Sequence, residues 1–322
     1  MFRRFSKKKR TSTDRAKDYN SSRSEDQTPS TKYTYNAAEE EEFIEQMQRQ
    51  NKLSMGISEQ RRAIVWQAAM GGQDLYRSSE GTYAQLLLRT SVWESQIRKD
   101  VPRTLCSHPL FKDQGGSGQR VLFNVLKAYS VYDVELGYTQ SMNFVAAVLL
   151  LHMTQEEAFW SLVGLLRGGE LGEPLRNLYL PGLPLVNQYS FQLWRLLQEH
   201  LCDVAEHFQR HEVKTIVFAA QWFMTLFVYN LPLHVVERVW DVFVFEGVRV
   251  LFQVGLALIR YHGRALLQWD CGEIVGALAR FQDMDAHVLL RLATSIRITN
   301  TQLEELRLEY WTMNKETRHM LY

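Results

Sequence analysis

Cysteine is scarce in this chain, and what there is does not pair. Cys106, Cys202 and Cys271 are widely spaced, with no C-x-x-C among them. That pattern argues against a disulfide framework or a cysteine zinc site and fits scattered core thiols in a reducing compartment. A dominant charge is missing too. Thirty-seven Lys and Arg face 36 Asp and Glu, for a net charge of +1, so no global field marks a nucleic-acid partner. Long apolar runs are also absent. Phe144–Leu151 falls short of the ~20 residues a spanning helix needs, and Val217–Leu231 is interrupted by Gln221 and Asn230. Both read as buried core helices. The first ten residues carry the positive charge of a secretory signal, but no apolar stretch follows them. The expected location is cytoplasmic.

The usual catalytic signatures are lacking as well. Gln114–Gln119 has the glycines of a phosphate-cradling loop but no following lysine, so it reads as a flexible turn before a helix. The histidines show no H-E-x-x-H spacing, and there is no G-x-S-x-G elbow. No cofactor or metal site is expected. Period-two alternation, Asn-Gly or Asp-Gly hairpin turns and internal repeats are likewise not found.

What is present is helical periodicity. Val121, Leu122, Val125, Leu126 and Tyr129 recur on one helix face, as do Val235, Val236, Val239, Trp240 and Phe243. Leu251 to Ile259 is apolar on most faces, as in a helix near the centre of a large domain. Breaks fall at Gln114–Gly118, Gly168–Pro184 and Pro232. The expected fold class is all-α, with 322 residues leaving room for one large domain. Residues 1–36 are basic, rich in Ser and Thr and almost free of aliphatic side chains, hence expected to be disordered. Their head sets Phe2 and Phe5 among Arg3, Arg4, Lys7, Lys8, Lys9 and Arg10. It reads as a solvated tail, a weak contact for anionic membrane or a nuclear address. Residues 37–51 form an acidic, helical lead-in, 52–311 the folded domain and 312–322 a C-terminal tail.

Three polar blocks stand out from this helical background. Arg62-Ala-Ile-Val-Trp66 puts a cation one turn from a large aromatic, as a cation–π pair would. Asp100 and Arg103, in Ile97-Arg-Lys-Asp-Val-Pro-Arg-Thr104, have the spacing of a local ion pair. Gln140 and Asn143, in Leu136-Gly-Tyr-Thr-Gln-Ser-Met-Asn143, precede an apolar helix and read singly as caps.

Taken together and in order, these blocks resemble the TBC domain of Rab GTPase-activating proteins. That family carries R-x-x-x-W, I-x-x-D-x-x-R and Y-x-Q, matched at Arg62/Trp66, Ile97/Asp100/Arg103 and Tyr138/Gln140. The resemblance continues through Asn124–Asp133, Gln221–Phe227 and Arg238–Asp241 to Glu246-Gly247. It spans roughly residues 52 to 311. It implies that Arg103 and Gln140 enter the active site of a GTP-bound Rab-family GTPase. Arg103 would neutralise charge on the transferring phosphoryl group, and Gln140 would orient the attacking water. The partner would hold GTP and magnesium, which agrees with the missing phosphate loop. Asp100 would fix the Arg103 loop and Tyr138 would brace Gln140. Arg62 and Trp66 would be scaffold, with Asn143 either a cap or a support. Vesicle trafficking and peripheral endomembrane contact follow from the same resemblance. A TBC-fold Rab-binding adaptor with little or no activating power is the alternative. The family usually has glycine directly after the finger glutamine, where this chain has Ser141. If that position requires positive φ, serine costs up to about 1–2 kcal/mol.

Overall fold

The computed structural model describes residues 56–168 and 174–313. The expected tail at 1–36, the lead-in at 37–51 and the end of the chain from 314 lie outside them. The described residues form α-helices and short 3-10 turns, with no strand.

The N-terminal half begins with α1 (Glu59–Ala69), α2 (Gly72–Ser78), α3 (Thr82–Leu88) and α4 (Glu94–Asp100). These surround a layer of three longer helices, α5 (Ser117–Tyr132), α6 (Met142–His152) and α7 (Gln155–Arg167). The α5 helix buries Val121, Leu122, Val125, Leu126 and Tyr129, the face marked by its periodicity. In α6, Val145 through Leu150 are all buried, because α5, α7 and α1 cover it. The start of α5 lies against the loop that follows α4. There a Cβ on Gly118 would stand 1.9 Å from the Leu110 carbonyl oxygen, so only glycine allows that approach.

The C-terminal half is built on α8 (Pro184–His200), α10 (Thr215–Met224) and α12 (Arg249–His262). Around them pack α9 (Cys202–Arg210), α11 (Leu233–Glu246), α13 (Cys271–Ala279), α14 (Ala286–Ser295) and α15 (Asn300–Thr312). Every residue from Val250 to Ile259 in α12 is buried, as its all-round apolarity requires. Trp66, Trp160, Trp222 and Trp240 are fully buried. Truncating any one of them to alanine is expected to cost about 3–5 kcal/mol.

Two expectations need correction. The apolar run Val217–Leu231 is not helical throughout. α10 ends at Met224, and Leu226 and Phe227 then adopt φ of +47° and +67°. Neither glycine nor proline stops the helix before Pro232; tertiary contacts do. The Tyr179 hydroxyl donates to the Met224 carbonyl at 2.7 Å, and Trp240 Nε1 donates to the Leu226 carbonyl at 3.0 Å. Leu226 and Phe227 stay buried, so their packing offsets the strain of a left-handed backbone. The second correction concerns the cysteines. All three are free and exposed rather than in the core. Cys202 and Cys271 open helices at their first positions, and Cys106 lies in the loop after Arg103, each off the apolar face. No described helix is long and apolar enough to cross a membrane.

Candidate functional site

The site is built on one buried carboxylate between two loops. Asp100 ends α4, where Val101-Pro-Arg103 tightens into a 3-10 turn that turns Arg103 outward. Proline suits the first turn of such a helix because its missing N–H would be unpaired there anyway. Asp100 is fully buried, while the Arg103 side chain is 55% exposed. Arg103 Nη2 donates to Asp100 Oδ1. The other oxygen, Oδ2, accepts from the Tyr138 hydroxyl at 2.8 Å and from Gln96 Nε2 at 3.2 Å. The two oxygens of one carboxylate therefore hold two different loops.

Asn143 completes the joint. Its Nδ2 donates to Thr104 Oγ1 at 2.7 Å, and Thr104 Oγ1 donates to the Asp100 carbonyl at 2.8 Å. Its Oδ1 accepts from the Ser141 amide at 2.9 Å and stands 3.3 Å from the Tyr138 hydroxyl. Asn143 is the second residue of α6, not its cap, and it ties the turn after Arg103 to the turn around Gln140. Asp100, Thr104, Tyr138 and Asn143 are all buried. Burying such groups is costly unless they are paired, and each of them is paired here. Burial, followed by the hydrogen bond and the charge of Asp100, pushes the Tyr138 phenol far above its usual range. The hydroxyl thus stays a donor at any ordinary pH.

Gln140 lies two residues beyond Tyr138 and is exposed. Among the described residues its amide has no hydrogen-bond partner. It is not a cap; the residue before α6 is Ser141, whose side chain makes no capping bond. Ser141 has φ of +95°, so the position does require the backbone that glycine adopts without penalty.

The loop entering this turn is shaped by close approach. Gly137 has φ of +67°, and a Cβ there would stand 2.1 Å from Trp93 Nε1. Trp93 follows a segment held to α5, with Ser91 Oγ 2.7 Å from Ser130 Oγ. Val92 on this segment and Val134 just after α5 are largely exposed, at 92% and 74%. Apolar side chains therefore stand in water beside the Gln140 loop.

Arg62 and Trp66 lie elsewhere, inside the fold. Arg62 Nε and Nη2 donate to Asp241 Oδ1 and Oδ2 at 2.9 and 3.1 Å. Trp66 Nε1 and the Ile57 amide complete the same carboxylate at 3.2 and 3.1 Å. Burial alone would lower the Arg62 pKa; the hydrogen bond and charge of Asp241, together with the charges of Glu237 and Glu59, outweigh it and hold the pKa above the ordinary value. The guanidinium carbon is 5.7 Å from the Trp66 ring centroid, but the carboxylate is the main partner. This cluster joins α1 to α11, and so the two halves of the fold. Neither residue reaches the Asp100 joint.

Several residues in and around this site were not among the candidates the sequence offered. Gln96 is one turn before Asp100, a spacing that hinted at contact. Thr104 and Asp241 belonged to matched blocks without an evident role. Asp133 and Arg176 pair across 43 positions, which no local pattern reveals. Among the described residues no group of acids, histidines and cysteines is arranged to hold a metal ion.

The family model for the Rab-GTPase-TBC domain matches residues 59–267. The chain belongs to the Rab-GTPase-TBC domain family. It is 36% identical to the human ecotropic viral integration site 5 protein homolog over 265 residues, covering 80% of this chain and 32% of that one. It is 34% identical to the Rab GTPase-activating protein eat-17 of Caenorhabditis elegans over 264 residues, covering 80% and 29%. The chain thus spans about a third of the length of these curated relatives. The crystal structure of a Chlamydomonas flagellar RabGAP TBC domain superposes with a TM-score of 0.62 at 24% identity, covering 87% of this TBC chain and 89% of that one. The Ypt/Rab-GAP domain of Gyp1p gives 0.65 at 20% identity, covering 82% and 93%. At those identities the likeness shows the fold alone.

Proposed function

We propose that this TBC domain accelerates GTP hydrolysis by a GTP-bound Rab-family GTPase, inserting Arg103 and Gln140 into the partner's nucleotide site. The observation that carries this reading is the Asp100 joint. One buried carboxylate holds the base of the Arg103 turn and, through Tyr138, the stem of the Gln140 loop, while both finger side chains face solvent. A structural ion pair would not need its guanidinium outside, and a cap would not leave its amide unpaired. Phosphoryl transfer is catalysed mainly by positioning and electrostatics, and a guanidinium is a rigid fork matched to phosphate oxygens. Arg103 would stabilise charge on the transferring γ-phosphoryl, and Gln140 would orient the attacking water. GTP and magnesium would stay with the partner. The family's name and that of its relative, the Rab GTPase-activating protein eat-17, support the same class of partner. A role in vesicle trafficking on endomembranes follows from that partner.

Single-turnover GTP hydrolysis across a panel of Rab proteins tests this reading. Acceleration of at least one Rab is expected. A panel with no acceleration would end it. The adaptor alternative draws on one observation, the φ of +95° at Ser141, which strains the turn beside Gln140. GTP-dependent binding without faster turnover would favour the adaptor.

A further inference from the structure

The Gln140 loop is held from its other side by a segment that no matched block includes. Arg176 lies in the 3-10 turn Leu175–Leu178, which packs against α7 and α8. Its Nε donates to Asp133 Oδ2 at 2.8 Å and its Nη2 to Asp133 Oδ1 at 3.1 Å, a bidentate fork. Asp133 Oδ1 also accepts the Leu136 amide at 3.1 Å, and the Asp133 carbonyl accepts the Gly137 amide at 2.7 Å. Asp133 therefore shapes the turn that leads into Tyr138 and Gln140. Three residues after Arg176, the Tyr179 carbonyl accepts from Thr139 Oγ1 at 3.1 Å, directly before Gln140. Tyr179 is itself anchored by its hydroxyl on the Met224 carbonyl at 2.7 Å. The segment 176–179 thus grips the loop at Asp133 and at Thr139, one point on each side of Tyr138.

Charge favours the grip. Burial opposes ionisation of Asp133, but the Arg176 hydrogen bond and charge, with the Leu136 amide, hold its carboxyl below the usual range. A bidentate arginine–carboxylate pair fixes direction as well as distance. By contrast, among the described residues the 3-10 turn bearing Arg103 makes no hydrogen bond to this segment; it is set by Asp100 and Thr104.

Resting on the proposed activation of a GTPase, we infer that Arg176 is a positioning residue for Gln140: its fork on Asp133 aims the water-orienting amide and leaves Arg103 untouched. Gln140 would then be aimed from two sides, from Asp100 through Tyr138 and from the segment after α7, whereas Arg103 is set from α4 alone.

A double-mutant cycle tests this with a Rab that the wild-type chain accelerates. Arg176→Ala is expected to lower the saturated single-turnover rate about 10- to 100-fold, the range expected for a group displaced by about an ångström. The concentration for half-saturation should hold within about threefold, and Arg176→Lys should recover part of the rate because a point charge replaces a fork. In a Gln140→Ala background, Arg176→Ala should change the rate less than about threefold, since the group it aims is gone. Full multiplication of the two effects would overturn the inference, as would an unchanged rate in Arg176→Ala. Glu135, 80% exposed and also touched by Arg176 Nη2, is the control; Glu135→Ala should leave the rate near wild type. Amide hydrogen exchange of the free chain needs no GTPase. In Arg176→Ala, residues 134–140 should exchange about tenfold faster or more, with 94–104 unchanged. Unchanged exchange at 134–140 would sink the clamp even if no Rab responded. Failure of the whole Rab panel with the exchange result intact would instead fault the proposed activity.

Discussion

Two arginines in this fold each lean on an aspartate, and under the proposed function the difference between them separates scaffold from chemistry. Arg62 spends its fork on Asp241 and its remaining donors on the Ile57 carbonyl and Glu237, with 7% of its side chain exposed. Arg103 gives one nitrogen to Asp100 and keeps 55% of its side chain in water. In both pairs the carboxylate is buried, at 1% and 0% exposure. The aspartate is structural in each case; only the direction of the arginine differs. Arg62 comes from inside a regular helix that packs against α11, so its side chain must lie in the interface. Arg103 comes from a 3-10 turn after α4, which points it away from the core.

This contrast predicts opposite responses to the same substitution. Arg103→Ala should abolish most of the acceleration, about 10³–10⁵-fold or roughly 4–7 kcal/mol. It should cost about 1–3 kcal/mol of stability, less than the loss at Arg62, because Tyr138 and Gln96 remain on the buried Asp100 and water can take the place of a half-exposed guanidinium. Arg62→Ala should do the reverse. It leaves Asp241 buried without its main charge partner, a loss of about 3–5 kcal/mol. The rate per folded molecule should stay near wild type. Chemical denaturation and single-turnover kinetics on both variants decide the matter. Equal losses of stability would erase the distinction.

Smaller effects sharpen the picture. Ser141→Gly relieves a non-glycine residue at φ +95° and should add up to about 1 kcal/mol of stability in denaturant unfolding. A loss of stability would mean that the serine side chain contributes something beyond strain. Acid should reach the Gln140 loop through Asp133. Its folded pKa lies below the ordinary 3.8, so the stability it contributes is present above that value. That contribution is lost as pH falls through the lower, folded value. Hydrogen exchange at 134–137 should therefore keep its protection down to about pH 4 and lose it below. Loss well above that pH would assign the effect to another group.

Much of this was legible in the residues. The apolar faces of α5 and α11 and the all-round apolarity of α12 follow from spacing alone, because local periodicity and burial agree there. Where tertiary contacts overrule local preference, the sequence was silent. Residues 225–231 look helical, yet the hydroxyl of Tyr179 and the indole of Trp240 claim their carbonyls and end α10 early. The cysteines have the composition of core residues, but Cys202 and Cys271 sit at helix starts and Cys106 in a loop. In the site, Asp100 with Arg103 was visible as a three-residue spacing. The union of that pair with Tyr138 and Asn143 was not, since it bridges 38 and 39 positions. Arg176 had no signal at all, because its partner lies 43 residues away.

The most direct test compares wild type, Arg103→Lys and Gln140→Ala at saturating concentration in single-turnover hydrolysis by a responsive Rab. The account predicts that both variants lose orders of magnitude of acceleration while binding the GTP-bound Rab and unfolding much like wild type. Arg103→Lys should fail because an ammonium cannot supply the planar fork. Full acceleration by either variant would contradict the claim that these two side chains are the fingers.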